Sequence, residues 1–232
     1  MLRGLVKKLM NREMVWLIKN IIDIIVEYFP LLIKGLGVTA LLSLITVFFG
    51  AIIGTIISLM SLSKNKVLKL IGTTYVEVIR GVPLLLQLLI IYIVLPASIN
   101  KFVAASIALL INSGAYVAEI IRAGIQAVDK GQMDAARSLG LSKKQAMLKV
   151  IFPQAIKNIL PAIGNEYVTV IKETSLASTF YIGDLMTAQK YIGSNTYLYL
   201  ESYLVVGMFY FIATFSLSKI IKRLEKRMRV SD

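Results

Sequence analysis

Long apolar runs alternate with short clusters of Lys, Gly, Pro and Asn along this chain. The stretch from about Leu36 to Met60 carries no charge at all. Further apolar runs extend from about Val67 to Leu95, Phe102 to Val128, Val150 to Ile171 and Tyr199 to Ile221. Each meets or exceeds the roughly 20 residues that a helix needs to cross a bilayer. The pattern predicts an all-α integral membrane protein with about five transmembrane helices. Ser63-Lys64-Asn65-Lys66, then Pro96 with Asn100, mark the first two turns, and residues 172–198 are polar, with a short helix expected near Gly183–Lys190. Residues 1–34 read differently. Trp16, Leu17, Ile21, Ile24, Ile25 and Tyr28 recur at helical spacing, with Lys19, Asp23 and Glu27 between them. That spacing predicts an N-terminal amphipathic helix at the membrane interface. The expected division is therefore an interfacial segment 1–34, a transmembrane domain 35–221 with a charged loop at 129–149, and a basic tail 222–232.

Within the first span, Thr39, Ser43, Thr46, Gly50 and Gly54 form a stripe of small residues, which allows another helix to approach closely. In the second, Gly81-Val82-Pro83 predicts a break. Pro153 and Pro161 interrupt the fourth, and in membranes such breaks are tolerated where protein or cavity water satisfies the freed carbonyls. Polar residues inside the spans also follow helical steps. Thr73, Glu77, Arg80 and Gln87 share one azimuth of the second span. Asn112, Tyr116, Glu119 and Gln126 share one of the third, and Gln154, Asn158, Asn165, Thr169 and Lys172 one of the fourth. A charge at mid-span costs about 2.5–3.5 kcal/mol on insertion scales, so these faces are expected to meet protein or water. Three such stripes predict a shared polar interior, for which a solute path is the natural use. Two readings stand side by side for Glu77 with Arg80 and for Glu119 with Arg122: a self-neutralising i, i+3 pair that locks helices, or groups that face a solute.

Composition agrees with the pattern. The chain is 57% hydrophobic and 17% charged, against about 45–50% and about 25% for soluble domains. The formal net charge of +13 would suggest nucleic acid in a soluble protein, but no nucleic-acid motif is present. The basic residues sit instead at span ends. Lys64, Lys66 and Lys69, then Arg122, Lys130, Arg137, Lys143, Lys144 and Lys149, then Lys219, Lys222, Arg223, Lys226, Arg227 and Arg229 all fall on one face of a five-span topology. The positive-inside rule makes that face cytoplasmic. The C-terminus is then cytoplasmic and the N-terminus, with Arg3, Lys7, Lys8 and Arg12, extracytoplasmic. Cys and His are both absent, which removes disulfides, thiolate catalysis and the commonest metal ligands. No metal site and no catalytic residue are expected, and no cleaved signal peptide is read at the start.

The charged loop carries a pattern of its own. Gly131 and Gly140 bound a short helix, and Ser142-Lys-Lys-Gln145 has the spacing of a capping box for the next. The loop would present Ala135, Ala136 and Leu139 on the basic face. Asp134-Ala135-Ala136, Gly140 and then Ile151-Phe152-Pro153 resemble the EAA loop of ABC importer permeases. Around it, Glu77, Arg80, Gly81, Pro83 and Gln87, the run Gly114 to Ile125, Pro153–Ala155, Leu160–Asn165 and Lys172 to Leu176 resemble the polar amino-acid permeases, in order and over about residues 35–220. Asp134 departs from the usual Glu.

The resemblance implies a type I ABC importer permease fold in a bacterial cytoplasmic membrane. It implies a homo- or heterodimer with a second permease subunit, an extracytoplasmic substrate-binding protein, and a cytoplasmic ABC ATPase that holds ATP and Mg and docks on a coupling helix. The ATPase-coupling residues would be Asp134, Ala135, Ala136, Leu139 and Gly140. The chain has no G-x-x-x-x-G-K-[ST] phosphate loop of its own, so it is expected to bind no cofactor and to be no enzyme. The expected solute is a polar amino acid, with a cationic one favoured. Arg80 would meet its α-carboxylate, Glu77 or Glu119 an ammonium or cationic side chain, and Asn112, Ser113 and Tyr116 would hydrogen-bond to it. An ion-coupled secondary transporter or channel is the rival reading.

Overall fold

The structure, a computed structural model, describes residues 2–229 and the side chains of residues 13–228. The side chains of Arg3, Lys7, Lys8, Arg12 and Arg229 therefore lie outside the described residues. All regular structure in the described chain is helical: α1 (Leu2–Ser61), α2 (Lys66–Gly81), α3 (Leu84–Val94), α4 (Lys101–Gln126), α5 (Lys130–Ser138), α6 (Lys143–Ala146), α7 (Phe152–Glu173), α8 (Leu185–Thr196) and α9 (Tyr199–Arg229). A π-helical turn, Met147–Ile151, joins α6 to α7, and a 3-10 segment, Thr174–Phe180, follows α7. Four helical stretches are long and apolar enough to cross a membrane. The pair α2 and α3, bent by 106° at the predicted break, makes a fifth if counted as one span. The five-span pattern is thus present, with its second member sharply broken.

Two boundaries differ from expectation. No break separates an interfacial segment from the first span, because α1 runs unbroken from Leu2 to Ser61. Pro30 sits inside it, at the cost of one backbone donor. Gly35 lies within the helix: a Cβ there would lie 3.0 Å from Leu185 Cα, so the glycine permits the close crossing of α8. The amphipathic face read from Ile21, Ile24, Ile25 and Tyr28 is real, and it packs on Leu185, Ala188, Ile192, Val205 and Val206 of α8 and α9. The tail likewise continues α9 as helix to Arg229.

The small-residue stripe of α1 does what its spacing predicts. Thr39, Ser43 and Thr46 are fully buried. Where Gly50 and Gly54 lie, added Cβ atoms would stand 3.0 Å from Ser113 Oγ and 2.7 Å from Val117 Cβ. Helix α4 answers with its own small face, burying Ala104, Ala105, Ala108, Ser113, Gly114, Ala115 and Ala118. This α1–α4 seam is the most extensive helix contact among the described residues and forms the spine of the fold.

The loop 129–149 is built by caps. Asp129 accepts from Gly131 N (2.7 Å) to start α5. Gly140, at φ +85°, ends it, with Leu141 N donating to Ala136 O (3.2 Å) in a Schellman-type turn. The capping box is complete: Ser142 N donates to Gln145 Oε1 (2.9 Å) and Gln145 N to Ser142 Oγ (3.3 Å).

Candidate functional site

A cleft of about 830 Å³ opens between α2 and α4 at the end of the molecule where Ser61, Ser63 and Lys69 stand. Thr73, Glu77 and Arg80 line it from α2, and Tyr116, Glu119, Arg122 and Gln126 from α4. Two of the three predicted polar stripes therefore face each other across one cavity. Their charges are not paired alike. Arg122 Nε donates to Glu119 Oε2 at 2.8 Å, and Arg122 Nη1 to Gln126 Oε1 at 2.8 Å, so this i, i+3 pair neutralises itself. Glu77 and Arg80 form no such ion pair. The Arg80 guanidinium lies instead over the Tyr116 ring, 5.2 Å from its centroid.

Asn112 and Ser113 do not line the cleft; they are 4% and 1% exposed and belong to its backing. Asn112 Nδ2 donates to Gln87 Oε1 (3.2 Å), and Ser113 Oγ donates to Glu166 Oε1 (3.1 Å). Gln87 also leaves the stripe to which its spacing assigned it. The 106° bend after Gly81 takes it off the azimuth of Glu77, and it is buried. The third stripe is not in the cleft either. On α7, Asn158, Asn165 and Lys172 are exposed on this subunit's surface. What separates this stripe from the other two is the rotation of α7, which periodicity within one helix does not reveal.

Glu166 is a residue that the sequence reading missed. It is 8% exposed, in the middle of α7, and meets Ser113 beside Gly50, where α1, α4 and α7 converge. An unpaired carboxylate in mid-span was the signal that could have singled it out. It sits beside Asn165 in sequence, and therefore roughly 100° off the stripe that drew attention.

At the far end of α4, Ala135 is exposed on α5, whereas Ala136 is turned inward and buried, its neighbour Met133 packing on Val128, Ile151 and Ala155. The sequence reading placed both alanines on the presented surface; the step of about 100° between successive helix residues instead turns Ala136 inward while Ala135 stays exposed. Asp134 is exposed, Gly140 closes the turn, and Leu139 is 85% exposed, a bare leucine on a polar loop. Gln154 Nε2 donates to Gln132 Oε1 (3.2 Å), tying α5 to the base of α7.

Residues 46–230 match the family model described as binding-protein-dependent transport system inner membrane component. The arginine transport system permease protein ArtQ of Bacillus subtilis is 40% identical over 207 residues, covering 88% of this chain and 94% of that protein. A putative glutamine transport system permease protein GlnP of Rickettsia bellii is 41% identical over 204 residues, 86% of this chain and 94% of that one. Among solved structures, an amino acid ABC transporter with histidines superimposes with a TM-score of 0.84 at 48% identity, covering 88% of this chain and 96% of its counterpart. The inward-facing MetNI methionine ABC transporter shares the fold, with a TM-score of 0.68 at 19% identity. Family membership displaces the ion-coupled secondary transporter or channel as a reading. The chain belongs to the binding-protein-dependent transport system inner membrane components: it is a multi-pass, inner-membrane permease subunit of an ABC importer, working with a binding protein and with an ATPase that is a separate chain.

Proposed function

We propose that this permease carries polar amino acids, cationic ones preferred, and that the α2–α4 cleft is where the solute meets the chain. The observation that carries the reading is the pairing of charges in the cleft. Glu119 and Arg122 satisfy each other, while Glu77 and Arg80 stand in the same cavity without an ion pair between them. A free amino acid brings the complementary set. Its α-carboxylate suits the Arg80 fork, and its ammonium or a cationic side chain suits Glu77. Tyr116 orients Arg80 through its ring face. Asn112 and Ser113 support this wall from behind, and Glu166 adds a carboxylate that no cation pairs among the described residues. The names of the relatives, which mention arginine, glutamine and histidines, agree with this class.

The cleft opens at the end marked by Lys64, Lys66 and Lys69, the cytoplasmic face by the positive-inside rule, with the N-terminus of α1 on the opposite side. This is an inward-facing arrangement. The α5 helix, with Asp134, Ala135, Leu139 and Gly140, docks on the ATPase, and ATP-driven closure there rocks the spans. The exposed polar residues of α7 call for cover, since Asn158, Asn165 and Lys172 are costly against lipid. A second permease subunit, in a homo- or heterodimer, supplies it.

Replacing Glu77 by Gln in the assembled transporter, reconstituted in proteoliposomes, tests the solute site. Losing one charge-assisted contact is expected to raise KM for arginine about tenfold or more and that for glutamine much less. Unchanged preference between the two would remove Glu77 from the site.

A further inference from the structure

Pro83 creates a debt inside the second span. In an unbroken helix its amide would donate to the carbonyl of Ile79, and a proline has no N–H to give. The following turn compounds the loss: Leu86 N and Gln87 N both donate to Pro83 O (3.0 and 3.2 Å), leaving Val82 O without a helical donor. Two orphaned carbonyls at this depth require partners from the protein. Gln87 supplies both. Its Nε2 group has two hydrogens, and it donates to Ile79 O at 2.7 Å and Val82 O at 2.8 Å. Its Oε1 is held by Asn112 Nδ2 at 3.2 Å, which anchors the arrangement to α4. Arg80 is next in sequence to Ile79, and Tyr116, over which Arg80 lies, is one turn beyond Asn112.

We propose that Gln87, tied to Asn112, is the positioning residue that holds the α2–α3 break at its angle and thereby sets where Glu77 and Arg80 stand in the cleft. The role in solute affinity rests on the reading of the cleft given above; the role in holding the break does not. Gln87 itself touches no solute, being buried behind the wall.

The test uses the reconstituted transporter with its ATPase and binding protein, and reads two quantities. One is KM for arginine uptake. The other is the distance between spin labels at Thr74→Cys and Ile93→Cys, one on each side of the break, in a chain that has no cysteine of its own. Gln87→Leu is expected to shift or broaden that distance and to raise KM about tenfold, the scale of losing buried hydrogen bonds. Gln87→Leu combined with Pro83→Ala returns an amide donor to Ile79 O. It is expected to restore the yield of folded protein while distance and KM stay altered, because the straightened span carries Arg80 elsewhere. Asn112→Leu leaves both carbonyls satisfied, and so folds; it is expected to shift the distance and raise KM several-fold.

Wild-type distances in Gln87→Leu and Asn112→Leu would overturn the proposal, as would wild-type distance and KM in the double variant. A raised KM in Asn112→Leu at unchanged distance would also overturn it, by making Asn112 a direct contact. A shifted distance at unchanged KM would uphold the clasp and refute the cleft as the solute site.

Discussion

Replacing Gly54 by Leu is expected to leave little or no folded permease in the membrane. A Cβ at this position would sit 2.7 Å from Val117 Cβ and 2.9 Å from the backbone nitrogen of Ala118. The second contact is with main chain, so no rotamer change relieves it, and α1 and α4 must move apart. Overpacking a tight core costs about 1–3 kcal/mol when side chains can yield. Separating two helices along their most extensive seam forfeits the packing of Gly50 on Ser113 and of Gly114 on Ile53 as well. Because helix association in lipid depends on close packing rather than on a hydrophobic drive, that loss has no ready compensation. Against a total stability of roughly 5–15 kcal/mol, several kcal/mol is decisive. Gly37 is the control, since a Cβ there meets nothing within 4 Å. Detergent-extracted Gly37→Ala should elute as a sharp peak and unfold at the wild-type temperature, while Gly54→Leu should be degraded or aggregated. A well-folded Gly54→Leu would mean that the α1–α4 seam is looser than its geometry.

Leu139→Glu is expected to abolish ATP-driven uptake while leaving the permease folded. Leu139 is 85% exposed at the end of α5, so the isolated subunit gains nothing from its side chain. Burying a leucine against a partner contributes about 1.5–3 kcal/mol. A glutamate in the same place forfeits that and adds the cost of desolvating an unpaired charge. The sum corresponds to a weakening of ATPase docking by more than about a hundredfold. Uptake should fall at least tenfold, with permease yield unchanged. Full uptake by Leu139→Glu would place the docking contact elsewhere on the loop.

How much of this was legible in the sequence depends on the distance over which each signal acts. The capping box at Ser142–Gln145, the glycine stop at Gly140, the small-residue stripe of α1 and the break at Gly81–Pro83 all came from local chemistry, and all are present in the structure. So was the facing of Glu77 and Arg80 toward Tyr116 and Glu119, because Thr73 to Arg80 lie within α2 alone and Tyr116 to Gln126 within α4 alone. Gln87 was misplaced because helical periodicity was carried across a proline that bends the chain by 106°. Asn112 looked like a solute ligand because its partner lies 25 positions away on another helix. The fourth-span stripe was assigned to the interior although α7 turns it outward, and no pattern within one helix reports how that helix is rotated against its neighbours. The helix boundary expected after residue 34 failed for a related reason. The amphipathic face of α1 was taken to meet the membrane interface, and α8 with α9 covers it instead.

Transport by this chain depends on α5 being the point where a cytoplasmic motor grips it. A Leu139→Cys variant carries this chain's only thiol, so labelling of the chain from either side of the membrane reports on that position alone. A membrane-impermeant thiol reagent is expected to reach it from the cytoplasmic side alone, and a short cross-linker to capture the ATPase subunit with a yield that changes on adding ATP. Labelling from the outside, or a cross-linker that never captures the ATPase, would contradict it.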